Sequence, residues 1–389
     1  MRILHTSDWH IGRTFHGNQT MDALAEVLDA LVTQVAENAV DVVVVAGDVF
    51  DSATPSGPAY TLLSDALLAL HETGARVIVT SGNHDSAARL GFQARLLRDG
   101  IHVLTDPAEV GVPVTIDDEH GPVHFFGIPY LEPAIVRAHW PAAGEGGGPL
   151  RTQAQTMSHA MSLVREGMAA HEGRSVAIAH CFAVGVESTV GLEREVRQGG
   201  LDMVPLDVFD GPDYVALGHI HGRNRLSDRV RYAGAPLHYS FGEQSKPRGS
   251  WLVELDADGL VTVEWLPLPV PRALVTLTGT LEEILSADNV AAHADDWVCA
   301  VYTDALPQTE PMRRLRESFP FCAMVQHQPA VGAEASERTY SERLRAAVTD
   351  TDRIEAFLEH VRGGQGATPR ESELIREVLD DRVRAEALV

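Results

Sequence analysis

Two apolar periods alternate along the first hundred residues. Leu24, Val27, Leu28, Leu31 and Val35 recur every three or four positions, which predicts an amphipathic helix over about 20–38. Short apolar runs flank it. Arg2 to Thr6 reads as a strand, and Val42 to Val45 are four consecutive β-branched residues, the mark of a strand buried on both faces. Pro58 suits the first turn of a second helix carried by Leu62, Leu63, Ala66, Leu67 and Leu70, and Arg76 to Thr80 is a further strand. Strand–helix–strand–helix–strand at this spacing predicts a mainly parallel sheet with right-handed crossovers.

Past residue 105 the pattern loosens. Val123 to Gly127 reads as a strand, Ala142 to Pro149 as a surface loop, and about 152–170 as a helix leading into a strand at Ser175 to Ala179. Tyr214 to Leu217 is another strand, and short runs near 230–233, 251–255 and 261–265 predict an antiparallel meander. Pro267, Pro269 and Pro271 mark a domain boundary. Beyond it, Leu274–Leu277, Trp297–Tyr302 and Ala323–Val325 alternate with helical stretches, enough for a small α+β module. Two helices close the chain. Ile354, Phe357, Leu358 and Val361 form the stripe of one, and the other opens on the capping box Thr368-Pro369-Arg370-Glu371 and presents Leu374, Ile375, Val378 and Leu379. Gly363-Gly364-Gln365-Gly366 is the turn between them.

Composition narrows the field. Hydrophobic residues make up 44% of 389, enough for real cores and too many for a disordered chain. No apolar run approaches the roughly 20 residues that a bilayer requires, and Met1 to Thr6 does not read as a signal peptide. Cys181, Cys299 and Cys322 form no CxxC pair, which fits a reducing, cytoplasmic setting. The net charge of -24 argues against a chain that grips nucleic acid by its own electrostatics. Lys246 is the sole lysine, so a phosphate clamp here would be built from arginine.

The chemistry lies at the strand ends. Arg2 to Thr6 delivers Asp8 and His10; Val42 to Gly47 delivers Asp48; Val77 to Gly82 delivers Asn83 and His84. Ser175 to Ala179 delivers His180, and Val215 to Gly218 delivers His219 and His221. In open α/β sheets, ligands bind beyond the carboxyl ends of the strands, so these five ends can converge. A lone Asp-x-His means little, since chance supplies about one such pair in a chain of this composition. Asp118-Glu119-His120 is that second pair, and its polar turn reads as solvated surface. A loop-capping Asp48 or a core His180 would be unremarkable singly; the same placement five times is not. Imidazole, carboxylate and amide ligands suit Mn²⁺, Fe²⁺ or Zn²⁺. Asp48, central in the set, is the natural bridge between two ions, and such a pair points to phosphoester hydrolysis. Cys181 should face away from His180 and serve packing.

Asp8-x-His10, Gly47-Asp48, Gly82-Asn83-His84-Asp85, His180 and Gly218-His219-Ile220-His221 resemble the calcineurin-like metallophosphoesterases over residues 1–222. The wording around them, His5-Thr6-Ser7-Asp8-Trp9-His10-Ile11-Gly12, Gly47-Asp48-Val49-Phe50-Asp51 and Phe209 to His219, is similar to the break-repair nuclease branch, the family of bacterial SbcD nuclease subunits. The resemblance implies an α/β (overall α+β) fold: a sandwich of two mixed β-sheets flanked by helices over 1–270, a DNA-capping α+β domain over 271–345 and a partner-binding helix pair over 346–389. It implies two cations, Mn²⁺ foremost, one held by Asp8, His10, Asp48 and His221, the other by Asp48, Asn83, His180 and His219. His84 would act on the scissile phosphate, with Asp85 either orienting it or capping a loop. Asp51 would have at most a supporting role. The implied activity is Mn²⁺-dependent cleavage of duplex ends, single strands and hairpins. It would act in DNA recombination, replication and repair.

The implied partner is an SbcC-type ATPase with coiled-coil arms, docked on Phe357, Leu358, Leu374 and Leu379, with the chain a homodimer inside a heterotetramer. These helices could instead cover their own domain. An acidic nuclease makes sense if the ATPase supplies much of the DNA-binding surface. A phosphatase or small-molecule phosphodiesterase with the same metal core is the alternative enzyme, although the GDxVDRG arginine of protein phosphatases is missing from Gly47-Asp48-Val49-Phe50-Asp51-Ser52. A non-enzymatic scaffold would require decayed ligands, and every ligand type is present.

Overall fold

The Val42–Ala46 strand is buried along its whole length because the sheet it belongs to is covered on both faces. Val43 and Val45 share a core with Leu24, Leu31, Leu63 and Leu70 of the helices Met21–Glu37 and Gly57–Glu72. Val42, Val44 and Ala46 point the other way, into a core with Phe125, Val176, Ile178 and Ala216 of a second sheet. Alternation of side chains along the strand thus divides one β-branched run between two hydrophobic layers. A third core lies on the far side of the second sheet, where Phe126, Ala177, Val215 and Leu217 pack with Met157, Met161 and Val164 of the helix Gln153–Ala170. The layers run helix, sheet, sheet, helix.

The computed structural model describes residues 1–97, 99–141, 148–184, 203–329, 344–362 and 366–386. Most of the loop read over 142–149, and most of the turn over 363–366, lie outside these. In the first sheet, Arg2–Thr6, Val42–Ala46, Arg76–Thr80 and Ile101–Leu104 are parallel neighbours. Gly249–Asp256 runs antiparallel beside Arg2–Thr6, with Gly259–Pro267 at the edge. The second sheet is built on Gly121–Ile128, Arg174–His180, Tyr214–Gly218 and Val230–Tyr232, all parallel, with antiparallel Val114–Asp118 and Asn224–Arg225 at its edges.

Two expectations need correction here. The meander over 230–265 is split: Val230–Tyr232 pairs parallel to Tyr214–Gly218, and only the two later strands form an antiparallel hairpin, in the other sheet. Apolar alternation identifies a strand but not the neighbour it bonds. Asp118 is not solvated surface either. It ends a strand and takes two bonds from Arg174, at 2.9 and 2.6 Å, with the Asp118 side chain 13% exposed and that of Arg174 5%. Glu119 and His120 are exposed as expected.

The chain divides into two compact units, Met1–Pro271 and Arg272–Val389, beside the run of prolines. In the second, Leu274–Gly279, Trp297–Tyr302 and Cys322–His327 form a parallel sheet with a core of Leu277, Leu281, Ile284, Val298, Leu315 and Phe319. The helices Asp350–Val361 and Pro369–Glu386 belong to this unit. Each opens on a capping box, Thr349 with Asp352 and Thr368 with Glu371. Arg362 grips Glu371 with two bonds of 2.9 Å, which ties the pair together.

Candidate metal centre

The strand ends converge at one rim of the sandwich, on a backbone bent to bring them there. Asp8, His10, Asp48 and His219 have φ of 54°, 46°, 48° and 110°, a region that non-glycine residues avoid. Such strain persists only where neighbours over-determine it. Here two loops run side by side: Asp8 N donates to Gly47 O at 3.0 Å, His10 N to Asp48 O at 2.9 Å and Ile11 N to Val49 O at 2.9 Å. His219 N is fixed in turn by Asp8 Oδ1 at 2.9 Å. Asp48, Asn83 and His219 each follow a glycine that is a spacing requirement, Gly218 because a Cβ there would strike the Ala46 carbonyl. A Cβ on Gly82 would strike the Asp48 carboxylate and backbone, and one on Gly47, itself at φ 75°, would strike the His180 ring.

The donor atoms fall into two groups that share Asp48. In the first, His10 Nε2 lies 3.1 Å from His221 Nε2 and 3.6 Å from Asp48 Oδ2, and Asp8, His10 and His221 each offer an atom within 4.8 Å of the others. In the second, Asn83 Oδ1 is 3.0 Å from His180 Nε2 and 3.0 Å from His219 Nδ1, while His180 Nε2 is 3.3 Å from Asp48 Oδ2. Atoms that share one ion at bonds of about 2.1 Å sit roughly 3–4 Å apart. The seven predicted ligands therefore lie where two cations with a common carboxylate would need them.

Electrostatics fit the same reading. Asp8 and Asp48 are 0% and 2% exposed, so their charges require compensation. Burial drives His219 down to about 4 and lowers His10, leaving neutral rings with a free electron pair. Burial acts on His180 in the same direction, but Asp48 and then Asp8 outweigh it and raise the ring to about 9. Asp48 is held well below the carboxylate range, mainly by His180 against the effect of burial. The cluster demands positive charge. His180 Nδ1 donates to Ala46 O at 3.0 Å, which directs Nε2 into the group.

His84 stands beside the two groups. Its backbone N donates to Asp48 Oδ1 at 2.8 Å, its ring lies 4.8 Å from that of His10, and it offers a nitrogen within 4.8 Å of donor atoms of His10 and Asp48. The reading of Asp85 as the group that orients His84 is corrected by the geometry. His84 Nδ1 donates to the carbonyl of Asp51 at 2.9 Å instead. The Asp85 carboxylate takes the backbone N–H of Val49, Phe50 and Gly82, at 3.0, 2.8 and 2.8 Å, and so fastens the Asp48 loop to the Asn83 loop. Burial raises Asp85 to about 6.

Further side chains stand behind the donor atoms. The Asp51 carboxylate lies 3.4 Å from His10 Nδ1 and 3.3 Å from Arg13. Glu243 lies 3.4 Å from His221 Nδ1 and 3.1 Å from Arg248; against burial, His221 first and then Arg248 hold its carboxyl down at about 2. Ser7 Oγ donates to Asp8 Oδ2 at 2.5 Å. The fold brings Asp51 and Glu243 to the candidate ligands, whereas Ser7 is the chain neighbour of Asp8. Cys181 is buried in the core beyond the second sheet, and burial pushes its thiol up to about 12, in keeping with packing. Phe357 and Leu374, in the other unit, are 51% and 43% exposed, while Leu358 and Leu379 are half-buried.

Comparison with known proteins gives two family matches. The calcineurin-like phosphoesterase model matches residues 1–223, and the SbcD_C model, described as a type 5 capsule protein repressor C-terminal domain, matches residues 270–362. Among solved structures, TT1561 of Thermus thermophilus is similar at 13% identity and a TM-score of 0.40, over 68% of this chain and 98% of that one. A dimetal phosphatase from Danio rerio is similar at 14% and 0.38, over 69% and 99%. GAP50 of Plasmodium, the anchor in the inner membrane complex, is similar at 10% and 0.39, over 85% and 98%. Among the described residues, no helix is long and apolar enough to cross a membrane.

Proposed function

The chain belongs to the calcineurin-like phosphoesterases, and within that family we propose that it is the nuclease subunit of an SbcCD-type complex, cutting DNA phosphodiester bonds with two Mn²⁺ ions. The observation that carries the reading is the pair of donor groups around Asp48, with spacings of 3.0–3.6 Å between imidazole, amide and carboxylate atoms. The match of residues 270–362 to an SbcD_C-type domain favours this branch over a stand-alone phosphatase.

When bound, the two cations supply an activated water near neutral pH and neutralise charge growing at phosphorus. The chain's own residues do the rest. Asp8, His10, Asp48 and His221 would hold one ion, and Asp48, Asn83, His180 and His219 the other. The strained loops fix these donors before substrate arrives, so little reorganisation remains for the reaction. Because a carbonyl can only accept, the bond from His84 Nδ1 to Asp51 O leaves Nε2 as the nitrogen that faces substrate. A protonated Nε2 would donate to the leaving oxygen or to the charge building on the phosphoryl group. Asp85 acts at one remove, as a fastener of the two loops.

The partner reading rests on the second unit, whose terminal helices leave Phe357, Val361, Leu374 and Val378 open to solvent. An amphipathic helix pair of this kind fits a groove on a coiled-coil ATPase of the SbcC type, and the working assembly is a homodimer within a heterotetramer. The net charge of -24 favours an assembly in which that partner supplies much of the DNA-binding surface.

The test is cleavage of a labelled hairpin-ended duplex in Mn²⁺, with and without the ATPase and ATP. Cleavage that the ATPase stimulates is expected. Rapid hydrolysis of p-nitrophenyl phosphate with the hairpin left intact would establish a phosphatase in its place.

A further inference from the structure

The two donor groups are supported differently. In the group of Asp8, His10 and His221, the His221 imidazole has a carboxylate hydrogen-bonded behind it, and the His10 imidazole has one nearby without a hydrogen bond. Asp51 Oδ1 lies 3.4 Å from His10 Nδ1, and Glu243 Oε1 lies 3.4 Å from His221 Nδ1. Glu243 is 6% exposed and held from three sides: Ser240 Oγ donates to Oε1 at 3.0 Å, Tyr239 N donates to Oε2 at 3.2 Å, and Arg248 Nη2 lies 3.1 Å from Oε2. Arg248, 2% exposed, also donates through Nη1 to the carbonyls of His221 at 2.5 Å and Ala235 at 3.1 Å. One guanidinium therefore fixes both the backbone of His221 and the carboxylate behind its ring.

In the group of Asn83, His180 and His219, no carboxylate among the described residues backs either ring. His180 Nδ1 meets the neutral carbonyl of Ala46, and His219 turns its Nδ1 toward Asn83. One group counts two carboxylates among its ligands, Asp8 and Asp48; the other has Asp48 and a neutral amide. A carboxylate hydrogen-bonded to the far nitrogen of a ligating histidine locks its tautomer and raises its basicity, and its loss typically costs 10–100-fold in metal affinity.

We propose that Glu243 is a positioning residue for His221, and that it makes the Asp8–His10–His221 position the tighter of two unequal cation positions, so that they fill in sequence. The inference rests on the two-cation reading above and adds an order of loading that this reading does not contain.

The test is titration of the full chain with Mn²⁺, followed by calorimetry and by the paramagnetic resonance signal of free ion. Wild type should bind in two steps, the tight one near one ion per chain. Glu243→Gln should weaken the tight step by about 10–100-fold and move the other less than threefold, whereas Asn83→Ala should weaken only the second. Because Glu243→Gln leaves Arg248 without its counter-charge, Glu243→Asp is the companion variant: it keeps a negative charge near Arg248 and draws the carboxylate back from His221. Melting of the metal-free protein checks that each variant folds. Selective loss of the tight step in Glu243→Asp carries the proposal even if Glu243→Gln does not fold. Two equal steps in wild type, or a Glu243→Asp titration like that of wild type, would overturn it and leave the two-cation reading intact. Wild type that takes up no Mn²⁺ would overturn that reading and this inference together.

Discussion

His84 and Asp85 are neighbours in the chain with separate duties. His84 presents a ring nitrogen toward the cluster, held by the Asp51 carbonyl, whereas Asp85 spends its carboxylate on three backbone N–H groups. His84→Gln should therefore abolish hairpin cleavage while Mn²⁺ content, measured after reconstitution, stays near that of wild type. A parallel fall in metal would make His84 a ligand. A second single-residue expectation concerns Asp118, whose carboxyl the bonds from Arg174 hold well below the usual range. A depressed folded-state pKa gives stability that is fully present above the unfolded value, near 4, and is lost as pH falls toward the lower folded one. Asp118→Asn should cost roughly 2 kcal/mol at pH 7, as for the loss of a charged, partly buried hydrogen-bonded pair. The gap between variant and wild type in thermal melts should narrow as pH drops from 4 toward 2. The gathering of the candidate ligands was legible because each lies at, or within four residues of, the end of an apolar strand. Glu243 and Arg248 were not, because what defines them is distance to an imidazole contributed from elsewhere in the chain; Asp51 was expected only in a supporting role.

At the scale of elements, long periodic segments announced themselves and short ones did not. The helices Met21–Glu37 and Gly57–Glu72 match their apolar spacing, since one stripe faces one core. Ile101–Leu104 is a strand that went unread, because four residues with a histidine among them carry no measurable period. Val114–Asp118 escaped for a related reason: it lies at the edge of its sheet and buries only Ile116. The sheet assignment of Val230–Tyr232 was out of reach for a different reason, since pairing is a long-range choice between two layers. The terminal helices present the opposite case, a legible pattern of which part is left uncovered among the described residues. Phe357→Asp with Leu374→Asp should abolish capture of the SbcC-type ATPase in a pull-down, by at least tenfold, with the melting temperature moved by no more than a degree or two. Capture at the wild-type level would assign these helices to their own unit.

The molecule as a whole joins a strongly acidic chain to a cluster that calls for cations. Asp8, His10, Asp48 and Asn83 leave the first sheet, and His180, His219 and His221 leave the second. Divalent ions seated there would act as rivets through a seam. By mass action, an ion present at a hundred times its Kd stabilises the folded state by about 2.7 kcal/mol. Chelation should accordingly lower the melting temperature of the Met1–Pro271 unit by several degrees, and Mn²⁺ should restore it, with His84→Gln behaving like wild type in both. An unchanged melt would mean that the seam is closed by protein contacts alone. If the rivets hold, the ions that equip this rim for chemistry also clamp its two layers together, and metal starvation would silence and loosen the protein in one stroke.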